Sequence, residues 1–236
     1  MSLSPSARVV IIGGTSGIGL AVAHQVAATG ARVIIGSRSP QSVEQALTGL
    51  PENASGAAVD VTDPASLQEF LDAAGPFDHL AYTAGDELVR GPISSYDPER
   101  AAAFFDVRFF RALDAVRLAR PHLHERGSIT LTAGAAALHG GPGRALGGAV
   151  GGAVIAAARS LAVELAPVRV NVIAPGLVRT PLFRDLPASF FEQAGEATLL
   201  GRVAEPEDVA QAFVAAMEQD YLTGNVTVVD GGSVLK

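Results

Sequence analysis

Apolar positions along this chain fall into two alternating signatures: short continuous runs, and longer stretches with helical spacing. The short runs are rich in β-branched residues and read as strands at 8–12 (RVVII), 32–35 (RVII), 57–61 (AAVDV), 78–82 (DHLAY), 128–132 (SITLT), 169–173 (RVNVI) and 226–230 (VTVVD). Several are apolar throughout, the pattern of strands covered on both faces. Helical patterns fill the gaps at 17–29, 64–74, 98–123, 147–166 and 206–218. Proline opens three of them, where its missing N–H costs no hydrogen bond. The alternation predicts an α/β fold, a doubly wound parallel sheet with helices on both faces. No linker or repeat divides the chain, so one domain over 1–236 is expected.

One stretch breaks the pattern. The run GGAVGGAVIAAA at 147–158 precedes RSLAVELA, which reads as ordinary amphipathic helix. It puts four glycines into the opening turns of that helix. Each costs roughly 0.8–1 kcal/mol relative to alanine in a helix interior.

Composition narrows the classes. With 48% hydrophobic and 17% charged residues, the chain can bury a sizeable core. A net charge of −7 argues against a nucleic-acid or anionic-membrane surface, because phosphate binding needs a concentrated basic face. Cysteine is absent, which excludes disulfides, thiolate metal sites and a cysteine nucleophile, and no metal site is expected. The first residues lack the basic and apolar segments of a signal peptide. The most apolar run, 145–158, is shorter than the roughly 18–20 residues that span a bilayer. A cytoplasmic protein is expected, with neither nucleic acid nor membrane as partner. The only lysine is Lys236, the last residue.

The segment IIGGTSGIG sets Gly13, Gly17 and Gly19 after the first strand and at the opening of the first helix. Glycines there permit a tight turn and let backbone N–H groups approach a pyrophosphate at the positive helix end. Thr15, Ser16 and Ile18 complete the turn. The spacing G-x-x-x-G-x-G resembles that of the short-chain dehydrogenase/reductase family. The resemblance continues through FDHLAYTAG, SLAVELAPVRVNVIAPGLVRTP and YLTGNVTVVDGG, in the family's order. It implies a Rossmann fold, a nicotinamide cofactor and oxidoreductase chemistry.

Charge selects the cofactor. NAD-preferring members of that family carry an acidic residue at the end of the second strand, where this chain has Ser37 followed by Arg38. A hydroxyl beside a guanidinium suits a 2′-phosphate, which a carboxylate would repel. NADP(H) is therefore expected, with a solvated surface arginine as the alternative reading of Arg38. By the resemblance, Asp60 and Val61 face the adenine, and Thr83, Ala84 and Gly85 pass over the cofactor. Pro175 and Gly176 also belong to the cofactor site, and Thr180 meets its carboxamide end. Asp60 could instead be a cap or turn residue before Pro64.

The family's chemistry uses a tyrosine as acid and base, a lysine four residues later, a serine that positions the carbonyl, and an asparagine. Counting from the matching segments, the tyrosine slot is Gly147, the lysine slot Gly151, the serine slot Gly134 and the asparagine slot Arg108. Tyr82 and Tyr221 read as core residues, while Tyr96 lies in a loop able to face the pocket. Without a nearby cation its pKa should stay near 10, a poor match to proton transfer at neutrality. The candidates left for the chemistry are His139, Arg108 and Arg144: a titrating imidazole and two arginines able to clamp an anion. Their bland alternatives are an exposed loop histidine, a loop arginine, and an ion pair of Arg108 with Asp106 or Asp114. Residues 181–205, with Phe183, Phe190 and Phe191, read as an apolar lid or as core.

Three functions stay open on the sequence alone. They are an NADP(H)-dependent oxidoreductase of carbonyl or alcohol substrates with a non-standard site, a non-catalytic NADP(H) sensor or partner subunit, and a lyase or isomerase. The glycine-rich helix face suits close helix pairing, and the resemblance implies a homotetramer or homodimer built through it.

Overall fold

The computed structural model describes residues 3–85 and 88–236. Its elements run β1 (Arg8–Ile12), α1 (Gly17–Ala28), β2 (Arg32–Ser37), α2 (Pro40–Gly49), β3 (Ala54–Ala58), α3 (Pro64–Ala74), β4 (Phe77–Tyr82), α4 (Pro98–Phe105) and α5 (Arg111–Ala119). They continue with β5 (Leu123–Thr132), α6 (Ala145–Glu164), β6 (Arg169–Pro175), α7 (Ala188–Glu196), α8 (Pro206–Glu218) and β7 (Val226–Val229). The strands form one seven-stranded parallel sheet in the order β3-β2-β1-β4-β5-β6-β7. The order reverses direction between β1 and β4, and such a switch point opens a crevice at the carboxyl ends of the strands.

Both faces of the sheet are covered, as the uninterrupted apolar runs require. Along β1, Val10 and Ile12 enter a core with Leu67, Leu71, Val116 and Val154, from α3, α5 and α6. Val9 and Ile11 enter the opposite core, with Val22, Val43, Val209 and Phe213 from α1, α2 and α8. Helix starts follow local chemistry. Proline sits in the first turn of α2, α3, α4 and α8, and Ser39, Asp63 and Asp97 accept from backbone N–H groups at the first three of these starts.

Several boundaries differ from the sequence expectation. The strand expected at 57–61 is Ala54–Ala58, because its pairing with β2 from Val33 to Ser37 sets the register, while Val59 is buried just past the strand's end. Helix α2 was not expected: only Val43 and Ala46 are buried, too few to write an apolar stripe. The helix expected at 98–123 is split by a π turn at Asp106–Phe110. Helix α6 starts at Ala145, and its full 20 residues are long and apolar enough to cross a membrane, unlike the shorter run weighed from sequence. Here Val150, Val154, Ile155 and Ala158 of that helix are buried.

Arg169 and His79, two ionisable side chains, are buried at the amino-terminal side of the sheet. Arg169 is 7% exposed, and its guanidinium donates to the carbonyls of Ala216 (2.7 Å) and Met217 (2.8 Å), capping the end of α8. His79 is also buried, with Nδ1 2.8 Å from the Ser128 hydroxyl. Burial pulls the His79 pKa down to about 4, with Arg169 acting in the same direction and Asp78 and Asp220 opposing. The unfolded chain therefore takes a proton below the ordinary value of about 6.5 that the native state refuses until about pH 4. Stability should fall by about 3 kcal/mol as pH drops through that window. Urea unfolding at pH 7 and pH 4.5 tests this: His79→Gln, which cannot titrate, should flatten the difference, and an unchanged pH slope would acquit His79.

Candidate functional site

The carboxyl ends of β1, β4, β5 and β6 open into a cleft of roughly 570 Å³, within the range of small-molecule and cofactor sites. At its floor the β1–α1 turn carries Gly13, Thr15, Ser16, Gly17, Ile18 and Gly19, all lining the cleft. Gly13 has φ of +91°, and a Cβ there would lie 2.6 Å from the Ala84 nitrogen. A Cβ at Gly19 would fall 2.2 Å from the Gly13 carbonyl oxygen. Glycine is required at both, because the turn presses against the segment leaving β4. Thr83 fastens the two, its hydroxyl donating to the carbonyls of Ile12 (3.1 Å) and Gly13 (3.2 Å). The first turn of α1 holds no acidic residue, and the Ser16 side chain makes no capping bond. The N–H groups at that helix start point where an anion would be stabilised.

Ser37 and Arg38 line the same cleft from the end of β2, and Asp60, Val61, Ala84, Gly85, Pro175, Gly176 and Thr180 complete that half. Asp60 both lines the cleft and shapes the turn that follows it. Its carboxylate accepts from the Thr62 hydroxyl (2.7 Å) and amide (2.9 Å), which lowers its pKa, and it still faces the cleft. The helix cap is Asp63. A cradle shaped by backbone, with a helix start behind it and Arg38 at its edge, fits a dinucleotide carrying a 2′-phosphate.

The other half of the cleft brings together Arg108, Gly134, Gly147 and Gly151, the four positions counted from sequence. Two of the α6 glycines answer to packing. A Cβ at Gly148 would lie 3.0 Å from the Ala136 carbonyl, and one at Gly151 2.9 Å from the Ala137 methyl, so α6 seats directly on the tight turn Ala135–Ala137. At Gly147 the nearest atom is 4.0 Å away, and at Gly152 nothing lies within 4 Å. Gly147 leaves space in the cleft, and Gly152 leaves space on the outer face.

Arg108 reaches the cleft through the π turn, in which the Arg111 N–H donates to the Asp106 carbonyl five residues back. The Tyr82 phenol donates to the Val107 carbonyl (2.6 Å), tying that turn to the end of β4. The guanidinium lies along the backbone of Gly85, where a Cβ would meet Nη1 at 2.6 Å, and stacks 4.9 Å from the Phe104 ring centre. The alternative ion pair with Asp106 or Asp114 does not form, because Arg111 occupies both carboxylates.

Arg144 also lines the cleft, but His139 does not. The chain doubles back after Ala135, with the His139 N–H donating to the Ala135 carbonyl (3.3 Å), and the imidazole is left exposed. The structure thus places His139 outside the cleft lining. Tyr221, expected in a strand-like or buried setting, is 99% exposed, and Tyr96 is half exposed outside the cleft. The lid region is more structured than expected. Phe183 and Phe190 line the cleft, while Phe191 on α7 is buried beneath Arg179, which pairs with Glu205 at 3.2 Å. Lys236 donates to the Glu196 carbonyl at the end of α7 and does not line the cleft.

Sequence reasoning missed Arg90, which belongs to no motif, and Ser233 and Val234, which line the cleft from the chain's end. The last two are placed by Asp230, whose carboxylate accepts from the Ser233 hydroxyl and the Val234 amide. Among the described lining residues, the charged side chains are Arg38, Asp60, Arg90, Arg108 and Arg144, and no histidine, tyrosine or lysine is present.

The family model for enoyl-(acyl carrier protein) reductase matches residues 13–234. A short-chain dehydrogenase/reductase of Malbranchea aurantiaca, malC, is 34% identical over 97% of this chain and 95% of its own length. The solved structure of the MalC reductase/Diels-Alderase from the same organism superposes with a TM-score of 0.90, at 32% identity, covering 98% of this chain and 96% of its own. The 3-oxoacyl-[acyl-carrier-protein] reductase FabG of Thermotoga maritima is 32% identical over 96% of this chain and 97% of its length. A small-chain dehydrogenase solved in complex with NADPH superposes with a TM-score of 0.83 at 29% identity, covering 98% of this chain and all of its own.

Proposed function

We propose, for a chain that belongs to the short-chain dehydrogenase/reductase family, an NADPH-dependent reductase of a carbonyl group, or the reverse oxidation of an alcohol, whose reacting end works by fixed positive charge. One observation carries the reading: a nucleotide cradle shares its cleft with a reacting end in which Gly134 and Gly147 leave room and Arg108 presents a charged group. NADP(H) is the cofactor, held by the β1–α1 turn, Ser37 and Arg38, with Asp60 and Val61 at the adenine. When bound, it supplies the hydride.

The chain's own residues then have three tasks. The backbone from Gly13 to Gly19 anchors the pyrophosphate at the start of α1. Phe183 and Phe190 exclude water from the reacting half. Arg108 faces the oxygen on which negative charge develops, stabilising an alkoxide without giving up a proton, which water delivers. The reading is supported by the similarity to the Malbranchea protein, itself described as a reductase. The alternative, an NADP(H)-binding sensor or partner subunit, is favoured by the lack of any proton-transferring side chain among the described residues of the reacting end. NADPH deuterated at C4, incubated with a broad panel of aldehydes and ketones, separates the two. Deuterium in product supports the reductase; NADPH binding without transfer across the panel supports the sensor.

We also infer self-association through α6, as a homodimer or homotetramer. Ala149 and Ala156 of that helix are exposed, and Gly152 between them has no neighbour within 4 Å. A leucine side chain at 152 therefore fits an isolated protomer and obstructs a close helix pair. Gly152→Leu should shift sedimentation to a smaller species while leaving the far-ultraviolet spectrum intact. The same oligomer in both proteins would remove α6 from the interface.

A further inference from the structure

Arg90 and Arg144 are the two cleft arginines with no task in the chemistry above. They belong to loops tied together by the Gly91 N–H donating to the Gly143 carbonyl (3.3 Å), and a Cβ at Gly143 would already touch Gly91. Both arginines line the main cleft, and both line the smaller cavity beside it, between Pro92 and Pro142. Both are accessible to an incoming molecule. Among the described residues neither has a carboxylate partner.

Two guanidinium groups held together without an anion repel each other. Enclosure by the surrounding atoms, together with the Arg144 charge, holds the Arg90 pKa below the usual arginine range. An arginine cannot relieve such a conflict by losing its proton at neutral pH, so the pair keeps both charges and presents them together to an oxyanion. The apolar side chains of Leu182, Phe183 and Phe190 line the same cleft and suit a hydrocarbon body.

We propose that Arg90 and Arg144 form a subsite for an oxyanion, carboxylate or phosphate, at the remote end of an otherwise apolar substrate. The proposal rests on reading this cleft as the substrate site and adds the chemical class. It gives the two loops a function in selecting substrate, since a neutral analogue leaves the arginine pair uncompensated.

Binding tests it without requiring turnover. The protein saturated with NADP⁺ is titrated by calorimetry with octanoate, octyl phosphate and methyl octanoate. At least one anion should bind ten times or more tighter than the ester, and which one does identifies the preferred head group. Arg90→Gln and Arg144→Gln should each weaken the anion about tenfold and leave the ester unchanged, because charge-assisted pairs are lost while the apolar contact stays. NADPH affinity serves as the control that the fold survives. Equal affinity of anions and ester, or anion binding indifferent to both substitutions, overturns the subsite even if deuterium transfer is found. Arginine-dependent anion binding upholds it even if no transfer is found, and then only the reductase reading fails.

Discussion

Arg38→Asp is expected to turn a preference for NADPH into a preference for NADH. Arg38 stands at the end of β2 on the rim of the cleft, beside Ser37, and has no ion pair among the described residues. Its charge is therefore available to a 2′-phosphate. Hydrogen bonds to a charged partner contribute about 1.5–3 kcal/mol, and the substitution forfeits them. The new carboxylate adds repulsion toward the phosphate and accepts from the ribose hydroxyls of NADH instead. Together these should move the ratio of the two affinities by roughly 10²–10³-fold. Because Arg38 is exposed, thermal stability should be unaffected. Calorimetric titration of both proteins with both cofactors measures the ratio directly. A wild-type protein that binds NADH as tightly as NADPH would falsify the assignment of Arg38.

The nucleotide half of the site was legible because backbone geometry dictates its residues. Only glycine fits where Gly13 and Gly19 meet neighbouring backbone, so the spacing itself carries the information. The strands were legible for a similar reason, since burial on both faces admits little but apolar residues. Legibility failed where tertiary contacts decide. Helix α2 buries too little to show a stripe, and the register of β3 is set by its partner rather than by its own residues. A π turn leaves the apolar spacing almost unaltered, so the break that presents Arg108 was invisible. His139 and Arg90 show the same limit from opposite sides. Position between two motifs suggested His139 for the cleft, and the path of one loop turned it out, while another loop brought in Arg90 with no motif to announce it.

Arg108→Leu should abolish most carbonyl reduction while leaving NADPH binding nearly intact. Hydride delivery places negative charge on the substrate oxygen, and among the described residues of the reacting half only arginines carry charge to meet it. Removing one preorganised donor of this kind typically costs about 10²–10³ in kcat. Leucine keeps helix propensity and packs against Phe104, where the guanidinium now stacks, so the π turn should survive. The Tyr82 bond to the Val107 carbonyl holds that turn in either protein. The pH profile separates this mechanism from a tyrosine–lysine pair. An arginine keeps its charge throughout the working range, so kcat should be flat from about pH 6 to pH 9, where a lowered tyrosine pKa would produce an inflection. Arg108→Lys, which restores charge without the planar fork, should recover part of the lost rate. An Arg108→Leu protein with undiminished kcat, or a wild-type profile bent by a single ionisation near neutrality, would assign the reacting end to a different group.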